Sequence, residues 1–450
     1  MSAHAQGAAP ISKRRFFSPL ILAACVLLSG ACGASRRAAQ GAGDAGDAVR
    51  GAGNPAPLSK QDRLEIFEGV WQAINDGYYD PAFNGADWRG VRERYGPRFE
   101  AAAGDFEFYG LIEVMLSELR DAHTTFSAPP PPNVLPKVDG PRSIGLKLGE
   151  AEGRVVVTEV EAGADAERAG VRAGMFLRAV NGKTVEEHFA YIKSVMVGSS
   201  SERNMRARMR AALLYGHFLS FPRKLTFEDF AGGEFVAELS PRSIEPPPNL
   251  SARRLASGFG YIKFGSWQSP VEEEFRKELE KLSDAPGLVI DLRGNGGGNT
   301  DVLIDIASNF FASETYYGGF RKRSGELRKH STHRVERVYR GVVVILLDES
   351  SASASESFSI FMQESGRASV VGRQSAGSTL NLTGGERHFK GGGKLLFSTH
   401  AYISPAGRNP EGTGVIPDEA VPLAVADLRR GRDADLDAAV RRLSAAPRGK

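Results

Sequence analysis

The 450-residue chain has almost no cysteine: its two, Cys25 and Cys32, both lie near the N-terminus. The rest of the chain can therefore hold no disulfide, no thiolate-bound zinc and no cysteine nucleophile. Net charge is also nearly absent, at +3 from 57 basic and 54 acidic residues. Three of the basic residues, Lys13, Arg14 and Arg15, fall in a leader described below, and without them the two signs balance. A neutral chain lacks the electrostatic footprint of a nucleic-acid binder. The apolar run from Phe16 to Leu28 falls short of the ~20 residues a spanning helix needs. No His-Glu-x-x-His occurs, and His188, His217, His330, His333, His388 and His400 show no paired ligand spacing. No metal or cofactor is expected. There is no internal repeat. What remains is a composition 41% hydrophobic and 25% charged, with 52 glycines and 24 prolines. That describes a turn-rich globular protein of about three domains.

The N-terminus reads as an address. Basic residues 13–15, the apolar run and a small-residue stretch follow one another in the order of a secretory signal, over residues 1–31. LLSGAC at 27–32 resembles a bacterial lipoprotein processing site, with Cys32 as the lipidated residue. LAAC at 22–25 matches the letters of such a site better but would cut the apolar run short, so Cys32 is favoured over Cys25. Residues 32–58 are rich in Gly, Ala and Asp and read as a flexible tether. Gly33 stands where an inner-membrane retention signal would place Asp, so an outer-membrane or periplasmic address in the cell envelope is expected.

Three regions follow. In 59–128, Ser59 caps a helix carrying Leu64, Phe67, Val70, Trp71 and Ile74. A second helix carries Trp88, Val91 and Tyr95, and a third carries Phe108, Leu111, Ile112, Met115, Leu116 and Leu119. The third ends at Asp121-Ala122-His123-Thr124, before the proline run 129–132. Residues 142–245 alternate like strands, and 187–222 within them read as an insertion with no evident role. Residues 250–430 alternate buried strands (260–265, 287–292, 341–349) with helices (271–282, 301–311), which is α/β layering. The basic stretch 321–334 reads as a solvated loop, and 433–445, within the tail 431–450, as a surface helix.

Two motifs in the last region can carry chemistry. DLRGNGGGNT at 291–300 leaves a buried strand through a glycine loop into a helix, so backbone N–H groups can approach an oxyanion or phosphate closely. No Gly-Lys-Ser/Thr follows, and the spacing is not that of a dinucleotide fingerprint. SSASASESFS at 350–359 follows another buried strand, where a serine can expose its hydroxyl above the sheet. Serines at such a place also cap helices.

The middle region, with VVVTEV at 155–160 and AERAGVRAGMFLRAVNGKTV at 166–185, resembles a PDZ domain. The resemblance puts a carboxylate-binding loop at Ser143, Ile144, Gly145 and Leu146 and implies capture of peptide C-termini. Taken in order, DAHT at 121–124, RGNGGG at 293–298, SASASE at 351–356 and EGTGVIPD at 411–418 resemble the S41 family of carboxy-terminal processing and tricorn-type serine peptidases, over residues 60–430. The implied fold is multidomain α+β: an N-terminal helical bundle, a PDZ-like β domain and a ClpP/crotonase-like α/β core. The implied nucleophile is Ser353, with Gly296, Gly297 and Ala354 donating to the oxyanion. One branch of the family uses a lysine 25 residues after the serine. This chain has Ser378 there, and Lys390 and Lys394 are off register. The tricorn-like branch implies His123 as base and Glu411 as its carboxylate partner. Ala122 departs from that branch, where a serine precedes the histidine.

The chemistry agrees with the resemblance. A serine hydroxyl needs an adjacent base, and an imidazole with an unperturbed pKa near 6.5 suits that work. A carboxylate then fixes its tautomer and stabilises the imidazolium. The expected activity is serine endopeptidase, acting through an acyl-enzyme on unfolded or C-terminal polypeptide segments. Two alternatives stay open: a non-catalytic peptide- or lipid-binding module on the same fold, and a Ser–Lys peptidase.

Overall fold

The computed structural model describes residues 57–129, 142–195, 198–215, 222–244 and 248–446. The leader, nearly all of the tether, both cysteines and His217 lie outside the described residues, as do the expectations placed on them. Among the described residues, no helix is long and apolar enough to cross a membrane.

The core is a six-stranded sheet in the spatial order Leu250–Arg254, Gly260–Phe264, Gly287–Asp291, Val342–Leu347, Ala368–Gly372, Glu419–Ala420. The first pair is antiparallel and every later pair is parallel. Parallel strands are buried on both faces, so these read as continuous apolar runs. Successive side chains point to opposite faces. Ile262, Ile290, Ile345 and Val370 meet the helices Val271–Lys281, Thr300–Ser308 and Ala354–Glu364. Tyr261, Val289, Val344 and Val371 meet Ala438, Ala439 and Leu443 of the helix Ala434–Ala445. The expected surface helix is therefore the second covering layer, and its alanines let it lie close on the sheet.

The stretch expected as a solvated loop belongs to a second sheet. Tyr316–Lys322 pairs with Leu327–Ser331 and with His400–Ile403. A strand needs only one apolar face, which Tyr317, Phe320 and Tyr402 supply, while Arg321, Arg328 and Lys329 stay exposed.

The N-terminal lobe has the expected helices, Lys60–Gly77, Trp88–Ala101 and Asp105–Leu116. The first opens on a capping box between Ser59 and Asp62. Its apolar core also takes in Leu395 and Phe397 from far along the chain. The strand Thr125–Ser127 pairs with Lys394–Leu396, which in turn pairs with Glu386–His388. This small sheet fastens the turn bearing His123 to the C-terminal half.

The middle region is a β-domain built on Leu146–Ala151, Arg154–Val160, Phe176–Val180, Arg223–Glu228 and Glu234–Leu239. The short helix Asp165–Arg168 lies between its second and third strands, and the helices Val185–Val195 and Glu202–Tyr215 occupy the expected insertion. Phe176, Val156 and Ala151 pack against Leu423, Val425 and Leu428, so one face of this sheet rests on the chain's C-terminal segment.

Candidate active site

The buried strand Val342–Leu347 leads through residues 348–352 into Ser353, the N-cap of the helix Ala354–Glu364. Ser353 holds φ +56° and ψ −116°, a conformation that disfavours any residue with a Cβ. Its backbone is held from both sides. The Ser353 N–H donates to the Ser378 carbonyl at 2.8 Å and to Glu356 Oε2 at 3.0 Å. Glu356 is fully buried and also accepts from the Ser375 hydroxyl (2.6 Å), the Gly377 N–H (2.6 Å) and the Ser378 N–H (2.8 Å). Burial pushes its carboxyl up against the pull of those four groups. The serine turn is thus strained and over-determined, as a site held ready for chemistry has to be.

The glycine loop lies directly against this turn. A Cβ on Gly297 would stand 2.6 Å from Ser353 Cβ and 3.0 Å from the Ala354 nitrogen, and Gly297 itself has φ +103°. Only glycine permits that approach. Asn295, fully buried, wires the loop to the turn. Its carbonyl accepts the Ala352 N–H and the Ser355 hydroxyl, each at 3.0 Å, and its Nδ2 donates to the Phe264 carbonyl at 3.0 Å. Its Oδ1 accepts the Gly297 N–H at 2.9 Å. Of the three expected oxyanion donors, Gly296 and Ala354 have N–H groups with no hydrogen bond among the described residues, and Gly297 has its own engaged by Asn295.

His123 stands in the turn after the third helix. Its backbone N–H donates to Asp121 Oδ1 at 2.8 Å, and the buried Asp121 also accepts the Thr124 hydroxyl at 2.5 Å. Thr124 Oγ1 accepts the Ser398 N–H at 3.2 Å, which ties the turn to the C-terminal half. His123 Nδ1 is buried with no hydrogen-bond partner, as is Ser378 Oγ. Burial holds the imidazole below its ordinary pKa, against the pull of Asp121 and with a smaller push from Arg208. The neutral form, the one a general base needs, therefore prevails at pH 7.

Glu411 does not hydrogen-bond to His123 in this structure. Its carboxylate accepts the Ser200 hydroxyl on one oxygen, and on the other the Thr379 N–H (2.6 Å) and hydroxyl (3.1 Å). Burial pushes it up to about 8, helped by Asp121 and Glu356 nearby. Ser378, at the position of a dyad lysine, uses its N–H and carbonyl to hold Glu356 and Ser353. Lys390 pairs with Asp62 on the helical lobe, and Lys394 sits opposite Ser127 in the small sheet.

In the SIGL segment two backbone N–H groups and one hydroxyl are hydrogen-bonded within the chain. Ile144 N–H donates to the Tyr215 hydroxyl at 3.4 Å and Gly145 N–H to Ser143 Oγ at 2.9 Å, while the Ser143 hydroxyl donates to Glu161 at 2.8 Å. Leu146 begins the strand that pairs with Val160.

Sequence reasoning passed over Asn295, Glu356, Asp121 and Ser200. Glu356 carried a readable signal, since Ser353-x-x-Glu356 has the spacing of a capping box. Asn295 and Ser200 carried none, because their partners lie far away in sequence.

The Peptidase family S41 profile matches residues 258–421, and the Tricorn protease C1 domain profile matches residues 59–117. A carboxyl-terminal-processing protease of Synechocystis is 24% identical over 395 residues, covering 86% of this chain and 88% of that protein. Carboxyl-terminal-processing peptidase 3, chloroplastic, of Arabidopsis thaliana is 24% identical over 368 residues, covering 78% and 67%. The fold is shared with a photosystem II D1 C-terminal processing protease (TM-score 0.55, 22% identity, 86% and 99% of the chains covered). It is also shared with mature CPAF complexed with lactacystin (TM-score 0.64, 14% identity, 85% and 97% covered). Across 258–421 the chain thus carries a core that matches Peptidase family S41, and across 59–117 a helical lobe that matches the tricorn protease C1 domain, as its similarity to carboxyl-terminal-processing proteases also indicates.

Proposed function

We propose that the chain is an endopeptidase with Ser353 as nucleophile, His123 as general base and Glu411 as the carboxylate that orients His123 and stabilises its charged form. Ser353 Oγ attacks the scissile carbonyl carbon while its proton passes to His123. The N–H groups of Gly296 and Ala354 receive the oxyanion, joined by Gly297 when Asn295 releases it. His123 then gives the proton to the leaving amine, and water, deprotonated by the same imidazole, hydrolyses the acyl-enzyme. The observation that carries this reading is Ser353 itself, a non-glycine residue at φ +56° pressed against Gly297. The substrates are unfolded or C-terminal polypeptide segments, and the β-domain is a PDZ-like module that presents or gates them. The leader supports export, with Cys32 as lipid anchor in the bacterial envelope.

A second reading, a binding module without catalysis, has one observation in its favour: Glu411 and His123 are not hydrogen-bonded to each other. Casein cleavage followed by mass spectrometry of the products separates the two. Cleavage by the wild type that disappears in Ser353→Ala supports the peptidase. Equal cleavage by both proteins overturns the assignment of Ser353.

A further inference from the structure

Residues 198–203, within the stretch 187–222, have a place at the site. Residues 198–201 and the start of the helix Glu202–Tyr215 reach out of the β-domain onto the peptidase core. The Ser200 hydroxyl donates to Glu411, and the Ser201 hydroxyl donates to the Ala376 carbonyl. Arg203 donates from Nε to the Ser375 carbonyl at 3.0 Å, and from Nη2 to the carbonyls of Gly412 (3.3 Å) and Thr413 (2.6 Å). The backbones fit closely as well. A Cβ on Gly198 would stand 2.4 Å from the Ser117 carbonyl oxygen, and one on Gly412 3.1 Å from that of Ser200. One short segment therefore touches the helical lobe, the loop that holds Ser353 and the segment that carries Glu411.

We propose that Ser200 is a positioning residue of the peptidase site, a hydroxyl lent by the β-domain that fixes the Glu411 carboxylate for its work on His123. The inference rests on the roles assigned above to Ser353, His123 and Glu411. The carboxylates facing Glu411 oppose its charge and the tyrosines are uncharged at pH 7, while the Arg203 guanidinium lies beside it on the carbonyls of Gly412 and Thr413 and makes no hydrogen bond to the carboxylate among the described residues. Asp121 comes from the turn after the third helix, Glu356 from the helix behind Ser353, and Tyr78 and Tyr79 from the end of the first helix. The donors are Thr379 on one oxygen and Ser200 on the other. Without Ser200, one oxygen of a buried carboxylate has no donor among the described residues, so the charge is disfavoured and the carboxylate is free to turn.

The test compares Ser200→Thr with Ser200→Val, which differ by the hydroxyl alone, and adds Ser353→Ala as control. Steady-state cleavage of a fluorogenic casein peptide is followed from pH 6 to 10. In Ser200→Val, kcat at pH 7 falls about 10-fold or more with KM little changed, and the acid limb of the pH–rate profile moves to higher pH. Ser200→Thr keeps most of the activity and the wild-type limb. Should Ser200→Val not fold, Ser200→Ala carries the same expectation. If valine and threonine behave alike, or the limb stays in place without the hydroxyl, the inference is overturned while an inert Ser353→Ala keeps the site assignment standing. Cleavage that survives Ser353→Ala overturns both.

Discussion

Burial beside Asp121 and Glu356 pushes the Glu411 carboxyl up to about 8, whereas a glutamate in an unfolded chain titrates near 4.3. The folded state thus holds that proton more tightly than the unfolded state. The associated stability is complete below about pH 4 and is lost as pH rises through about 8. Glu411→Gln keeps the shape and removes the charge. It should lower kcat by about 10²–10⁴-fold, yet melt higher than the wild type at pH 9 and not at pH 4. A Tm that falls at pH 9 would mean that the charge is better accommodated than the burial implies. Gly297 makes a steric prediction. Its Cβ position is 2.6 Å from Ser353 Cβ and 2.9 Å from the Ala352 carbonyl oxygen, at φ +103°. Gly297→Ala should therefore cost about 1–3 kcal/mol of stability and displace the serine turn, read as a loss of kcat larger than any change in KM.

The helix Ala354–Glu364 depends on a carboxylate that serves two functions at once. Glu356 caps its own helix through the Ser353 N–H and anchors residues 375–378 through three further donors. In Glu356→Gln an NH₂ replaces one of two accepting oxygens, so at least one backbone N–H, that of Gly377 or those of Ser353 and Ser378, faces a donor. A loss of about 2–5 kcal/mol in urea denaturation is expected, together with loss of cleavage. The elements that were readable from sequence share one property, a local period. The core strands are apolar runs, and the lobe helices carry apolar residues three and four apart. The second sheet is not readable, because the strands Tyr316–Lys322 and Leu327–Ser331 are dense in exposed cations, the composition of a loop. The three-residue strand Thr125–Ser127 is too short to show a period, and its partner lies far along the chain. The same distance hid Ser200 and Asn295. Ser353, His123 and the glycines were legible only because they sit in contiguous motifs.

Across the whole molecule, one chain of ion pairs crosses from the β-domain to the C-terminal helix. Arg206 and Arg210 hold Glu150 (2.7 and 3.3 Å), and Arg210 also holds Glu349 (2.9 Å). Arg373 links Glu349 (3.1 Å) to Asp435 (3.0 Å), and Arg293 links Asp435 (3.0 Å) to Asp291 (2.6 Å). Arg210 is 4% exposed, so its charge is shielded little by solvent. Arg210→Met should cost about 1–3 kcal/mol, since both carboxylates keep a second arginine, and should speed tryptic nicking between the β-domain and the core. Unchanged melting and nicking would mean that the apolar contact at Val425 and Phe176 suffices to hold the β-domain. The larger question is whether the helical lobe and the core act as one site. Lobe and core share Leu395 and Phe397, and the turn at His123 is tied to Ser398. The direct measurement is the rate of labelling by a fluorophosphonate probe at pH 8 in wild type, Ser353→Ala and His123→Gln. Labelling of the wild type, none of Ser353→Ala, and a rate at least about 10²-fold lower in His123→Gln are expected; labelling of His123→Gln at the wild-type rate would show that lobe and core do not act as one site.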